Sequence, residues 1–173
     1  MASVGQAMVI DTVDQSDVPI GQIQRAEVFR KHANFRVSHV FVFNSEGELL
    51  IQRLALNRDR NPGYWGSSAA AYLFSHEDYW AAAARRMNEE LGVAGAELDF
   101  VNKTTMQDYG CLKFISLFIT KQEGPFRYDH QHIDRVEFRP LSEINQMIAS
   151  DDRRFTPTFL HVLESFYRTA RTR

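Results

Sequence analysis

Apolar residues recur along the chain with two periods, and the switch between them outlines the elements. Near-alternation runs from Phe35 to Asn44, with Val37, Val40 and Val42 among its members, and resumes from Leu49 to Leu54. Ser45-Glu46-Gly47-Glu48 between them reads as a hairpin-type turn, which predicts that these two strands pair antiparallel. Upstream, Met8 to Asp11 and Pro19 to Gln24 flank a polar turn and predict an N-terminal strand pair over about residues 7–24. The period becomes helical at Trp80, Ala83, Ala84, Met87 and Leu91, a stripe expected to face the core. That helix is expected from about His76 or Glu77 to Leu91, with Ser75 as N-cap and Gly92 as stop signal. Glu77 and Asp78 suit the positive end of its dipole.

Leu56 to Tyr64 is rich in Asn, Asp, Pro and Gly and reads as a loop, and small residues then carry the chain from Trp65 to Phe74. Further strands are expected at Leu98 to Thr105, Leu112 to Lys121 and Arg135 to Phe138. A short helix near Leu141 to Ala149 and a C-terminal helix over about 156–169 complete the pattern, with Arg168 to Arg173 read as a frayed tail. Strands and helices mix without strict βαβ order, so the expected class is α/β (α+β), a mixed sheet with helices packed on it.

Composition narrows the function more than the fold. A length of 173 residues without linkers or repeats predicts a single domain spanning 1–173. Twenty basic and 22 acidic residues leave a net charge of -2, against a dedicated binder of nucleic acid polymers. The one cysteine, Cys111, excludes an internal disulfide and a multi-cysteine zinc site. Met1 to Gln6 lacks the basic start of a signal peptide, and no apolar run approaches the ~18 residues that span a bilayer. The expectation is a cytoplasmic protein without a membrane partner. A homodimer stays open.

The chemistry concentrates on the first helix. Arg85 and Glu89 stand four residues apart, as do Arg86 and Glu90, so the four share a face expected to lie away from the Trp80/Met87 stripe. Adjacent carboxylates offer hard oxygen donors, the preference of Mg²⁺ bound with a phosphate substrate. The alternative is a solvated face of ion pairs worth a few tenths of a kcal/mol each.

The wider stretch decides between them, because it resembles the Nudix box, G-x5-E-x7-R-E-U-x-E-E-x-G-U with U aliphatic. Glu77, Arg85, Met87, Glu89, Glu90, Gly92 and Val93 match seven of its nine defined positions over residues 71–93. Gln52-Arg53, Pro62-Gly63-Tyr64-Trp65, Asp11 to Asp14 and Gly21-Gln22-Ile23 are similar to the branch that holds isopentenyl diphosphate isomerase and its hydrolase relatives. The resemblance implies a Nudix-type α/β/α sandwich. It also implies a Mg²⁺-dependent (or Mn²⁺-dependent) hydrolase that splits a pyrophosphate linkage in a small nucleoside diphosphate-type substrate. Carried over by position, Glu89 and Glu90 are metal ligands, Glu77 assists them, and Arg85 orients the glutamates by pairing with Glu89.

Two defined positions depart from the box. Its opening glycine is Ala71, which strains the loop if that backbone needs a positive φ and is harmless otherwise. The glutamate after the box arginine is Arg86, which neither ligates Mg²⁺ nor accepts a proton. Together with the loss of a late glutamate, these motivate an alternative, a catalytically silent Nudix domain that binds a nucleotide or a protein. The isomerase is a third reading, opposed by the absence of a cysteine from Gly66-Ser67-Ser68-Ala69-Ala70; Cys111 reads as a buried small residue.

His132 stands where the late glutamate is expected, and a His130-x-His132 pair on a strand-like segment would put both rings on one face to bind a metal. The alternative is solvated loop histidines. Residues 51–60 carry three arginines against one aspartate. Arg53 is a candidate substrate contact, whereas Arg58 and Arg60 read as an exposed basic loop. Tyr64, Trp65 and Tyr72 are candidates to stack on a base or cover a substrate, with core packing as the alternative for Trp65. An acidic helix beside a basic approach loop is the charge placement that a metal-bound diphosphate requires.

Overall fold

The computed structural model describes residues 8–172. The reading of Met1 to Gln6 and the first residue of the expected strand pair lie outside that range. Strands β1 (Val9–Val13) and β2 (Pro19–Gln24) form the antiparallel N-terminal pair. Asp14 closes their turn by accepting the Ser16 and Val18 N–H groups at 2.8 and 3.0 Å. Seven further strands make a mixed sheet: β3 (Phe35–Phe43), β4 (Leu49–Leu54), β5 (Trp65–Gly66), β6 (Ala69–Tyr72), β7 (Asp99–Asp108), β8 (Cys111–Lys121) and β9 (Ile133–Arg139). Helices α1 (Tyr79–Leu91), α2 (Leu141–Ser150) and α3 (Pro157–Arg171) flank it.

The expected β3–β4 pairing survives only at the turn, where Phe43 faces Leu49. Beyond it β3 pairs in parallel with β8 along its length and antiparallel with β6 from Val37 to Val40, while β4 pairs with β9 and β5. Ser68 fills the opening between β3 and β4. Its hydroxyl accepts the Val42 N–H at 2.8 Å and donates to the Leu50 carbonyl at 2.6 Å, replacing ladder bonds that the splayed strands do not make. Sequence periodicity could not see this, because both edges of β3 are claimed by strands distant in the chain.

β3 is buried on both faces, which explains its nearly continuous apolar run. Phe35, Val37 and Phe41 join Ile115 and Leu117 beneath Phe159, Val162 and Leu163 of α3. Val40 and Val42 point the other way, into Leu50, Phe118 and the Ala83, Met87 and Leu91 face of α1. The layers are therefore helix, mixed sheet, helix. β7 and β8 extend further than expected and meet at Tyr109-Gly110, both with positive φ (49° and 81°), a two-residue hairpin turn. Of the expected frayed tail, Arg168 to Arg171 are helical, since α3 continues to Arg171, and Arg173 lies outside the described residues.

α1 starts later than the sequence suggests. Asp78, not Ser75, is its N-cap and accepts the Ala81 N–H at 2.7 Å. His76 has φ +69° and cannot join a helix. The helix ends on Gly92 (φ +69°), where a Cβ would also lie 3.0 Å from the Arg127 carbonyl oxygen. The buried face is Ala82, Ala83, Met87, Glu90 and Leu91, and Trp80 is 52% exposed. With Tyr79 as the first helical residue, the inward positions fall at 79, 83, 87 and 91, which turns Trp80 out. The neighbouring row 82, 86 and 90 lies partly inward and carries Glu90 into the protein.

Candidate active site

Arg85 organises the loop between β6 and α1. It forks onto Glu77, Nε to Oε1 at 2.7 Å and Nη2 to Oε2 at 3.0 Å, and Nη2 also donates to the Tyr72 carbonyl at 2.9 Å. Its guanidinium carbon stacks 3.8 Å from the centroid of Phe74, and Nη1 reaches Glu89 at 3.2 Å. Glu77 in turn accepts the Phe74 N–H at 2.8 Å. Partial burial disfavours the Arg85 charge, but Glu77 and Glu89 outweigh it and hold its pKa above the ordinary value. The expected Arg85–Glu89 pair is present, and the stronger contact is with Glu77. Both Glu77 oxygens are thereby engaged within the loop.

Arg86 lies on the other flank of α1. Its Nε donates to the Ala70 carbonyl at 3.0 Å and to Glu90 Oε1, and Nη1 stands 3.4 Å from Glu89 Oε2. One guanidinium thus touches both adjacent carboxylates. The Glu90 side chain is only 5% exposed and the Glu89 side chain 45%. Glu90 therefore does not share an open face with Glu89; it depends on Arg86 for charge compensation. Ala71 lies in β6 opposite Ser38 with no positive φ, so the missing glycine is harmless here; His76 is the left-handed residue of this loop.

Other arginines approach the same end of the sheet. Arg25, in a short 3-10 turn after β2, lies 4.8 Å from the Tyr72 ring centroid. Arg58 is half-buried, and burial followed by repulsion from Arg86 lowers its pKa, with Arg25 adding to the effect and Glu90 opposing it. Among the described residues no carboxylate pairs with Arg25 or Arg58. Arg60 differs: it donates to Asp108 at 2.9 Å and packs on Phe29 and Tyr109. Lys113 joins the same carboxylate at 2.8 Å and donates to Thr158 at 2.6 Å. Burial opposes ionisation of Asp108, but Lys113 and Arg60 hold its pKa below the ordinary range. Arg58 thus turns inward, whereas Arg60 is exposed as expected but paired. Arg58 gives no sequence sign of its inward position, and Arg25 none of its approach to Tyr72.

Arg53 goes elsewhere, anchored to the Gly63 carbonyl at 3.2 Å and to Asp134 at 3.1 Å. Trp65 is buried in the core, as its packing alternative held. His130 and His132 occupy a turn rather than a strand: His130 packs on Tyr128, and His132 Nδ1 contacts Asp129. That turn abuts α1, since the Asp129 N–H donates to the Glu90 carbonyl at 3.1 Å. Cys111 is fully buried with Sγ 3.7 Å from the Val28 carbonyl oxygen, away from β6.

The expected metal residues Glu77, Glu89, Glu90 and His132 are not drawn into one ligand set, and no group of three or more His, Cys, Asp or Glu among the described residues is placed to hold an ion. Mg²⁺ commonly engages one or two carboxylates and completes its shell with water and substrate phosphate. Glu89 and Glu90 are two adjacent carboxylates, with the Arg86 guanidinium between them.

The NUDIX domain family matches residues 33–159, and the chain belongs to this family. An uncharacterized Nudix hydrolase of Pseudomonas aeruginosa is 30% identical over 155 residues, covering 90% of this chain and 89% of its own. An isopentenyl-diphosphate delta-isomerase of Streptomyces griseus is 33% identical, with coverages of 92% and 84%. A solved structure from Deinococcus radiodurans shares the fold with a TM-score of 0.79 at 21% identity, covering 90% of this chain and 98% of its own.

Proposed function

We propose that this Nudix protein is a Mg²⁺-dependent hydrolase that splits the pyrophosphate linkage of a small nucleoside diphosphate-type substrate. The observation that carries the reading is the meeting of two carboxylates, Glu89 and Glu90, with arginines free to bind phosphate. Arg25 and Arg58 have no carboxylate partner among the described residues, and guanidinium forks match phosphate oxygens. Glu89 and Glu90 would hold Mg²⁺ or Mn²⁺ together with the substrate phosphates. Bound there, the ion would lower the pKa of the attacking water and neutralise charge developing on the leaving phosphate. Arg85 and Glu77 set the pitch of the loop and so the direction of Glu89. As substrate phosphate draws Arg86 off Glu90, the same arginine passes from a structural pair to a phosphate contact. Tyr72, beneath Arg25, walls the phosphate end, and His132, held by Asp129, borders it.

Purified protein should release phosphate or a monophosphate from at least one member of a nucleotide panel with Mg²⁺ or Mn²⁺, and Glu90→Gln should abolish that turnover. Turnover that survives the double change Glu89→Gln with Glu90→Gln sinks the assignment.

A second reading has its own observation. Arg86 bridges Glu89 and Glu90 and so supplies a built-in cation between them. On this reading the domain binds a diphosphate compound or a protein partner without cleaving it. A nucleotide that raises the melting temperature but is recovered intact after long incubation with metal favours the silent domain.

A further inference from the structure

A cavity of about 500 Å³ beside Trp65 shares no lining residue with positions 71–93. Four arginines reach it: Arg53 from β4, Arg135 from β9, and Arg153 and Arg154 from the segment between α2 and α3. That segment is zipped to β5, with the Trp65 N–H donating to the Arg154 carbonyl at 2.8 Å and the Thr156 N–H to the Trp65 carbonyl at 2.9 Å. The backbone carrying Arg153 and Arg154 is therefore held by the sheet. Gly63 (φ +75°) makes room at the rim, where a Cβ would lie 3.0 Å from Leu56 Cδ2 and 3.5 Å from Arg53 Nη2.

The fold balances this charge only in part, since Asp134 is shared between Arg53 at 3.1 Å and Arg135 at 3.7 Å. Arg153 and Arg135 both lie over the Trp65 indole, 4.4 and 5.7 Å from its centroid, which gathers two like charges around one ring. Glu137 is shared among Arg153 at 2.8 Å, Arg139 at 3.0 Å and Arg135 at 3.8 Å. Arg154 has no carboxylate within ion-pair distance among the described residues, and its Nη1 stands 3.4 Å from the Tyr64 hydroxyl. Asp152, the one acidic residue of the lining, accepts from the Ser150 hydroxyl at 2.7 Å. Two indole-backed guanidiniums and one unpaired one thus converge on an open cavity.

We propose that this cavity is a phosphate-binding site distinct from the box cleft, taking a small phosphoryl anion between Arg135, Arg153 and Arg154. Planar forks present paired donors to phosphate oxygens, and a bound dianion relieves the repulsion among them. The proposal stands independently of catalysis at Glu89 and Glu90. The chain has two tryptophans, and they report on different places: Trp65 backs this cavity and Trp80 is exposed on α1.

The full chain, labelled with ¹⁵N and free of divalent metal, is titrated with inorganic phosphate, inorganic pyrophosphate and adenosine monophosphate. The Trp65 indole N–H resonance should move saturably, and Arg154→Gln should weaken that response roughly tenfold, the scale of one charged hydrogen-bonding partner. Arg58→Gln should leave it unchanged. Saturation by inorganic phosphate assigns a site for the free ion; saturation by the nucleotide alone assigns one for an organic phosphate. The proposal fails if the Trp65 response is absent, is equal in Arg154→Gln, or vanishes in a folded Arg58→Gln protein. It also fails if only a long oligonucleotide moves the resonance.

Discussion

Arg85 and Arg86 of α1 and the neighbouring Arg60 differ from the arginines of the cavity beside Trp65 in where their charge goes. At the box, Arg85 and Arg86 are spent on Glu77, Glu89 and Glu90, and nearby Arg60 is spent on Asp108. Around the cavity beside Trp65, four arginines outnumber Asp134 and Glu137, the carboxylates that pair with them, and Arg154 pairs with none among the described residues. A guanidinium paired within the fold acts as a strut, and removing it exposes its partner's desolvation cost. An unpaired one contributes little to stability and remains available to a ligand. The same residue type therefore holds up one region and equips the other.

The largest break in this contrast is expected from Asp108→Ala, which leaves Lys113, 6% exposed, without its carboxylate. Stranding one partner of a buried pair costs about 3–5 kcal/mol, readable as a fall in the denaturation midpoint. The folded Asp108 carboxyl titrates below its ordinary 3.8, so its contribution is complete above that value and is lost as pH falls through the lower folded one. Asp108→Ala should flatten that acid limb.

Arg85→Ala comes next. It removes a bidentate pair and the stack on Phe74, and should cost about 2–3 kcal/mol, a drop of roughly 4–10 °C in melting temperature for a chain of this size. A drop within 1 °C, inside scatter, would show that the box loop stands without it. Arg86→Gln should cost less, about 1–2 kcal/mol, because the amide still donates to Glu90. It should also tighten Mn²⁺ binding, measured by paramagnetic relaxation, since it removes a cation that competes for Glu89 and Glu90. Looser Mn²⁺ binding in this variant would count against a metal role for the two glutamates. Arg154→Gln should leave the melting temperature unchanged, and a measurable loss would erase the distinction between the two regions.

Local rules were enough for several features. Near-alternation marked β3 and β4, Gly92 marked the end of α1, and the spacing of Glu77, Arg85, Glu89 and Glu90 marked the box. Each of these depends on neighbours a few residues away. The failures share the opposite property. Ser75 lost the cap to Asp78 because Glu77 reaches forward to Arg85 and back to the Phe74 N–H, holding the loop out of the helix. Arg53, the candidate substrate contact of that loop, is tied to Asp134 on β9, eighty-one residues on. His130 and His132 have the spacing of a strand face, yet a turn at Asp129 separates their rings.

The sequence by itself determined the α/β class, the family and the placement of Glu89 and Glu90 side by side on one helix, because a helix converts residue spacing into geometry with no outside information. Only the tertiary structure decided which arginines are struts and which are free. That depends on where a carboxylate from another strand or loop comes to rest. Arg86 depends on both levels. Its i,i+4 relation to Glu90 was written in the chain, but the burial that makes the pair obligatory came from turning the 82–86–90 row of α1 toward the sheet.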